Sequence, residues 1–118
     1  MNRQIRKLKL NNTNFSNPHG LSEKANHASP SDIIKIAAYA LKYDLIRDIV
    51  MKKSYKCTLI SKYGEPQKYI WYNSNKLLNQ FFRGMKTGVT PSAGPCLCGY
   101  FEIGDYSTIA CILDCKNI

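Results

Sequence analysis

The sequence is poor in the residue patterns that bind metals or cofactors. It has only two histidines, His19 and His27, and its five cysteines form no Cys-x-x-Cys pair. Structural zinc sites need three or four such ligands at close, regular spacing. We therefore expect no metal centre, and no pattern in the sequence calls for a cofactor.

Long apolar runs are also absent. Runs such as residues 109–113 are far shorter than the roughly 20 residues that cross a bilayer. Residues 1–10 are basic but lack the apolar segment of a secretory signal peptide. We expect neither a membrane span nor a signal peptide in these residues, and the compartment is not predicted.

Acidic residues are scarce. Eight Asp and Glu stand against 17 Lys and Arg, so the net charge is +9. A solvated basic surface is the simplest interpretation. The alternative is attraction to a polyanion such as nucleic acid, an anionic wall polymer or a membrane surface. With 118 residues, of which 44% are hydrophobic and 21% charged, the chain is predicted to form a single domain over 1–118.

Helical periodicity is confined to residues 1–53. Apolar residues at helical spacing predict short helices over 2–10 and 44–51. The main helix is predicted to begin at Ser29-Pro30-Ser31-Asp32, since Ser is a good cap and Pro fits the first turn. An apolar stripe from Ile33 continues this helix to about Lys42.

Alternating patterns typical of strands follow. Residues 54–72, with Gly64 and Pro66 at the centre, predict a small hairpin. After a turn or single helical turn at 75–82, residues 84–115 predict an antiparallel sheet, whose last two strands meet at the tight turn Gly104-Asp105. The predicted strands cover 84–90, 96–103 and 106–115. The fold class is therefore α+β, with helices packed on a three-stranded sheet beside a small hairpin.

The last two strands are apolar on both faces, which is typical of a strand that is covered on both sides. The helices can cover one face of the sheet. We expect a protein partner, or a part of the gene outside this sequence, to cover the other.

Several segments together resemble one family, the serine D-alanyl-D-alanine carboxypeptidases of peptidase family S11, which are low-molecular-weight penicillin-binding proteins with a β-lactamase/transpeptidase-like fold. Residues 12–21 resemble its "NT-x-F-x-NPHGL" segment, and the helix after Ser29 resembles the helix that follows it. Residues 73–78 are similar to "N-T-N-x-L-L", and residues 84–97 to "G-x-K-T-G-x-T-x-x-A-G-x-C-L". The order and spacing agree over nearly the whole chain.

The chain departs from the family in one respect. No Ser-x-x-Lys nucleophile motif and no Ser-x-Asn-type motif occur in these 118 residues. In the family both precede the segment with which this chain opens, so the chain resembles the second half of the catalytic domain. The resemblance implies action on peptides ending in D-Ala-D-Ala, and β-lactam binding, once the missing half is supplied. Alone, the chain is predicted to be inactive; the alternative is a non-catalytic interaction module or one piece of a split enzyme.

The resemblance also implies roles for residues 86–89. Lys86 would place its ammonium near the substrate's terminal carboxylate, and Thr87 would donate its hydroxyl to that carboxylate. Gly88 would leave room for the substrate backbone along the strand, and the backbone N–H of Val89 would be one of two oxyanion donors. In the "NPHGL" segment, His19 is expected to fix the loop rather than act as a base.

The Gly104-Asp105 turn sets a register in which Cys98 opposes Cys111. Two interpretations stay open for this pair: two small buried thiols, or a cross-strand disulfide. A second functional class also stays open, because Lys and aromatic residues interleave over 52–72, as in proteins that bind single-stranded nucleic acid. A hairpin with a packed aromatic face and solvated lysines fits the same residues, and nucleic-acid binding is the less favoured interpretation.

Overall fold

The computed structural model describes residues 1–116. Within these residues, three helices precede five strands, with an antiparallel hairpin of β1 and β2 and an antiparallel sheet in the order β3-β4-β5. The predicted α+β class is confirmed. The elements are α1 (Asn2–Lys7), α2 (Pro30–Ala40), α3 (Asp44–Val50), β1 (Ser54–Ile60), β2 (Pro66–Tyr72), β3 (Phe82–Thr90), β4 (Gly94–Ile103) and β5 (Tyr106–Ile112).

Helix α2 forms where its start signals predict. The Ser29 hydroxyl accepts a hydrogen bond from the backbone N–H of Asp32 at 3.2 Å, and Pro30 occupies the first turn. Its apolar side packs against β5 and β4, with Ala37 buried. Helix α1 is shorter than predicted and ends at Lys7, because Lys9 has a left-handed φ of 54°.

The acidic residue in the first turn of α2 anchors the chain that enters the helix. The carboxylate of Asp32 is buried and accepts hydrogen bonds from the backbone N–H of Asn12 and the hydroxyl of Thr13, each at 3.0 Å. Burial raises the pKa of this carboxyl, but the two hydrogen bonds and the nearby Lys35 ammonium outweigh that effect and hold it below its usual value.

The sheet has the predicted register at its second turn. Ile103 opposes Tyr106, and Cys98 opposes Cys111. Strand β5 ends at Ile112 rather than at residue 115, because Asp114 has a φ of 52°, which is incompatible with a strand. Residues 75–81 form turns without a helix, and β3 begins at Phe82, two residues before the predicted start.

The two faces of the sheet differ in their cover. The face that carries Cys98 and Cys111, called here the helix face, lies under α2. Alternation along the strands places Thr87, Leu97 and Ile112 on the other face, called here the open face. Ile112 is 50% exposed there, so an outside cover for the open face stays a prediction.

None of the helices in residues 1–116 combines the length and apolar character that crossing a bilayer would require.

Candidate active site

Residues 86–88 lie on an edge strand. Within residues 1–116, β3 pairs only with β4, and Lys86, Thr87 and Gly88 oppose Cys98, Leu97 and Cys96. The outer side of β3 therefore presents backbone donors and acceptors without a neighbouring strand. Such an edge can accept an extended peptide as an additional strand.

Lys86 lies on the helix face, where its side chain is exposed. Its ammonium donates a hydrogen bond to the backbone carbonyl of Thr87. Among the described residues it has no carboxylate partner within ion-pair distance. An ammonium in this position can bind an anion that reaches the β3 edge.

A turn outside the sheet holds the side chain of Thr87. The hydroxyls of Thr87 and Ser74 lie 3.0 Å apart. The turn is fixed by two Asn side chains: Asn73 accepts from the backbone N–H of Asn75 at 2.9 Å, and Asn75 accepts from that of Leu77 at 3.1 Å. The resemblance at residues 73–78 locates this turn, but no local pattern predicts that Ser74 reaches β3.

The strand is open beside Gly88 and Val89. A Cβ added at Gly88 would meet no heavy atom within 4 Å, and Val89 is 74% exposed. A cavity of about 820 Å³ on the open face is lined by Ser74, Thr87 and Val89, among others. The space along the β3 edge can therefore take a ligand of peptide size.

A loop approaches the same strand at its far end. Ser22 donates a hydrogen bond to the hydroxyl of Thr90 at 2.8 Å and accepts one from Ser92 at 2.6 Å. A cavity of about 670 Å³ lies between this loop and residues 88–94. Sequence reasoning missed these contacts because they join residues 68 and 70 positions apart.

His19 is exposed and belongs to a tight turn. Its Nδ1 accepts a hydrogen bond from the backbone N–H of Leu21 at 3.2 Å, while Asn17 accepts one from Gly20 at 2.9 Å. Gly20 has a φ of 77°, which favours glycine. The His19 ring thus contacts the backbone of its own turn, and a loop-fixing role for it stays a prediction.

Cys98 and Cys111 lie behind Lys86 on the helix face, and both are free thiols. Burial, with Cys111 nearby, raises the pKa of Cys98 to about 11. Burial, with Cys96 nearby, also raises the pKa of Cys111. In residues 1–116, no group of His, Cys, Asp and Glu side chains is arranged to hold a metal ion.

The hairpin carries the basic and aromatic residues of the alternative interpretation. The rings of Tyr55, Trp71 and Tyr69 are stacked with neighbouring centroids 6.2 Å apart. The Lys52 ammonium lies 5.6 Å from the centroid of the Tyr55 ring. These residues lie outside the cavities that border residues 86–88.

This sheet and the helices that cover it form part of a β-lactamase/transpeptidase-like domain. Residues 1–117 match Peptidase_S11, the D-alanyl-D-alanine carboxypeptidase family, and the chain belongs to that family.

Similar proteins and structures agree with this assignment. The crystal structure of the DD-transpeptidase of a Streptomyces strain is similar, with a TM-score of 0.91 and 33% identity, covering 95% of this chain and 44% of that one. Penicillin-binding protein D2 of Listeria monocytogenes, solved in a cefotaxime-bound form, is also similar, with a TM-score of 0.78 and 25% identity. This match covers 98% of this chain and 46% of that one.

The curated relatives are longer than this chain. A D-alanyl-D-alanine carboxypeptidase of Streptomyces is 32% identical over 121 residues, which cover 100% of this chain and 42% of the relative. The D-alanyl-D-alanine carboxypeptidase DacF of Bacillus subtilis is also 32% identical, and the match covers 95% of this chain and 28% of that relative. The chain therefore spans less than half the length of these relatives.

Proposed function

We propose that this chain forms the carboxylate-binding part of a D-alanyl-D-alanine carboxypeptidase and acts on peptidoglycan stem peptides when a nucleophile is supplied. The observation that carries the proposal is the edge position of residues 86–88. A cation, a hydroxyl and an unobstructed glycine follow one another along a strand whose outer side is open. Family membership supplies the class of substrate.

Each residue of the strand has a separate role in this proposal. Lys86 and Thr87 bind the terminal carboxylate, through the ammonium and through the hydroxyl that Ser74 orients. Gly88 admits the substrate backbone beside β3, because no atom lies where a side chain would reach. The Val89 N–H donates to the developing oxyanion, a contact that in other enzymes lowers the barrier by about 2.7–4 kcal/mol.

The attacking hydroxyl comes from elsewhere in this proposal. These 118 residues contain no Ser-x-x-Lys motif, in which a lysine near the serine takes its proton. We therefore expect the 118-residue chain alone to form no acyl-enzyme. A split enzyme, with the nucleophile on a second chain, and a purely non-catalytic binding module are the alternatives.

Labelling with a fluorescent penicillin tests the proposal. The chain alone is expected to stay unlabelled, whereas a co-expressed S11 segment that carries Ser-x-x-Lys should become labelled only in its presence. Thr87→Val should lower this labelling several-fold, because the hydroxyl that binds the carboxylate is lost. Thr108→Val, the same change at an exposed position on β5, is the matched control.

Two outcomes would contradict the proposal, and a third would support the binding module instead. A heat-stable adduct on the chain alone would contradict the proposed lack of a nucleophile. Labelling that is equal in the Thr87 and Thr108 variants would contradict the role of Thr87. If no segment is labelled, but the chain alone binds an N-acetylated peptide ending in D-Ala-D-Ala in an NMR titration, the non-catalytic binding module is supported instead.

A further inference from the structure

Three thiols line one cavity behind the β3 edge. Cys96 and Cys98 are two positions apart on β4, and Cys111 lies on β5. All three border a cavity of about 400 Å³ under α2, together with Lys86. The proposed function gives these thiols no role.

The geometry of the β4–β5 turn selects one pair among them. Ile103 and Tyr106 flank a two-residue turn and close the hairpin as a hydrogen-bonded pair. In an antiparallel ladder, hydrogen-bonded and non-hydrogen-bonded pairs alternate. Cys98 and Cys111 lie five positions further along each strand, so they form a non-hydrogen-bonded pair.

That type of pair has the spacing of a disulfide. Cα atoms of non-hydrogen-bonded partners are about 4.5 Å apart and their side chains approach closely. Disulfides join Cα atoms about 4.4–6.8 Å apart. Cys96 shares the face but is displaced by two residues from the position opposite Cys111, and diagonal neighbours of this kind are about 7–8 Å apart.

We propose that Cys98 and Cys111 are a redox modification site, at which a cross-strand disulfide forms by exchange with an external disulfide. One thiolate attacks the external disulfide and releases one thiol, and a mixed disulfide forms. The second protein thiolate then displaces the other thiol. Two protein thiols and one external disulfide thus give one protein disulfide and two free thiols, and the two protons of the protein thiols pass through solvent to the two leaving thiolates.

The first attack falls on Cys111, because it is partly exposed whereas Cys98 is buried. Burial raises the pKa of both thiols, so exchange is slow near neutral pH and accelerates as the pH rises. The other titratable groups that line this cavity are Lys86 on β3, Cys96 on β4 and His19 in the loop, and α2 contributes Ile33, Ile36, Ala37 and Ala40.

The cross-link would lie directly beside the candidate active site. Lys86 opposes Cys98, which opposes Cys111, so the three residues form one row across the sheet on the helix face. A disulfide would join β4 and β5 behind Lys86 and remove two S–H groups from the cavity that the lysine borders. The proposal does not rest on the carboxypeptidase function.

The test exposes the full 118-residue chain to glutathione disulfide at pH 7 and pH 9, followed by mass spectrometry of the intact chain and of its peptides. We expect a loss of about 2 Da, a peptide that links Cys98 to Cys111, faster formation at pH 9, and a thermal midpoint higher by about 10 °C. Cys111→Ser should abolish the link, whereas Cys57→Ser, a change on the hairpin, should leave it intact.

Each contrary result overturns the proposal. These are stable glutathione adducts on Cys98 or Cys111 without a cross-link, a link that joins Cys96 to either thiol, or an unchanged mass at pH 9. If Cys111→Ser fails to fold, Cys98→Ala provides the same comparison. Peptide mapping of the unmodified sequence decides the matter without any variant.

Discussion

Gly88 and Gly99 lie in neighbouring strands, and adding one methyl group to each should have opposite effects. A Cβ at Gly99 would lie 2.6 Å from Cε2 of Phe82 and 2.9 Å from Cε2 of Phe101. These two rings pack with their centroids 4.5 Å apart, and Phe82 is only 4% exposed. At Gly88 the same Cβ would meet no atom within 4 Å.

The expected change in the free energy of unfolding combines two effects. At a position whose backbone suits any residue, Gly→Ala stabilises by about 0.4–1 kcal/mol, because the unfolded chain loses freedom. Overpacking a core costs about 1–3 kcal/mol. We therefore expect Gly99→Ala to lower the free energy of unfolding by about 1–2 kcal/mol, and Gly88→Ala to leave it unchanged or raise it slightly.

Urea denaturation followed by far-UV circular dichroism measures both effects. A double-mutant cycle with Phe82→Leu checks the cause, because the smaller side chain should relieve the clash and reduce the cost of Gly99→Ala by about 1 kcal/mol. If Gly99→Ala is as stable as Gly88→Ala, the packing of Phe82 over Gly99 is refuted. A cost that is unchanged in the Phe82→Leu background would refute it as well.

Further predictions concern Asp32, Ser74 and the hairpin. The pKa of Asp32 is lowered in the folded chain, so its carboxylate stabilises the fold fully above the pKa that Asp32 has in the unfolded chain. This contribution is lost as the pH falls through the lower pKa of the folded state. Asp32→Asn should therefore flatten the loss of stability between about pH 5 and 2, measured by urea midpoints. Ser74→Ala should weaken binding of the D-Ala-D-Ala peptide by releasing the Thr87 hydroxyl, with stability changed by less than about 0.5 kcal/mol; equal affinities in NMR titrations would contradict this. The hairpin should not bind oligo-dT at low ionic strength in fluorescence anisotropy, and binding that weakens steeply with salt would revive the nucleic-acid alternative.

The elements that local signals specify were predictable. Helix α2 begins where Ser29 caps and Pro30 opens the first turn, and both act within a few residues. The β4–β5 register follows from a two-residue turn, because such a turn fixes every pair beyond it. The ends of elements were less predictable, since the left-handed φ of Lys9 and Asp114 has no strong sequence signal.

Contacts between distant segments could not be predicted from these patterns. Ser74 reaches Thr87 because a turn fixed by Asn side chains packs near the open face, and neither periodicity nor propensity reports that proximity. The helix start that the sequence predicts includes Asp32, but the partners of its carboxylate, Asn12 and Thr13, belong to a loop with no regular pattern. Tertiary packing decides both arrangements.

The position of the Lys-Thr-Gly triplet on an edge strand leaves its backbone and side chains accessible. On a central strand, its backbone would be paired on both sides and the place of Gly88 would resemble that of Gly99, which two rings enclose. On the edge, the backbone of Gly88 is unobstructed, Lys86 is exposed, and Thr87 is oriented by a neighbour outside the sheet. A glycine therefore lies under two packed rings in β4 and leaves open space at the edge of β3, and the difference is set by strand order, which no tripeptide encodes.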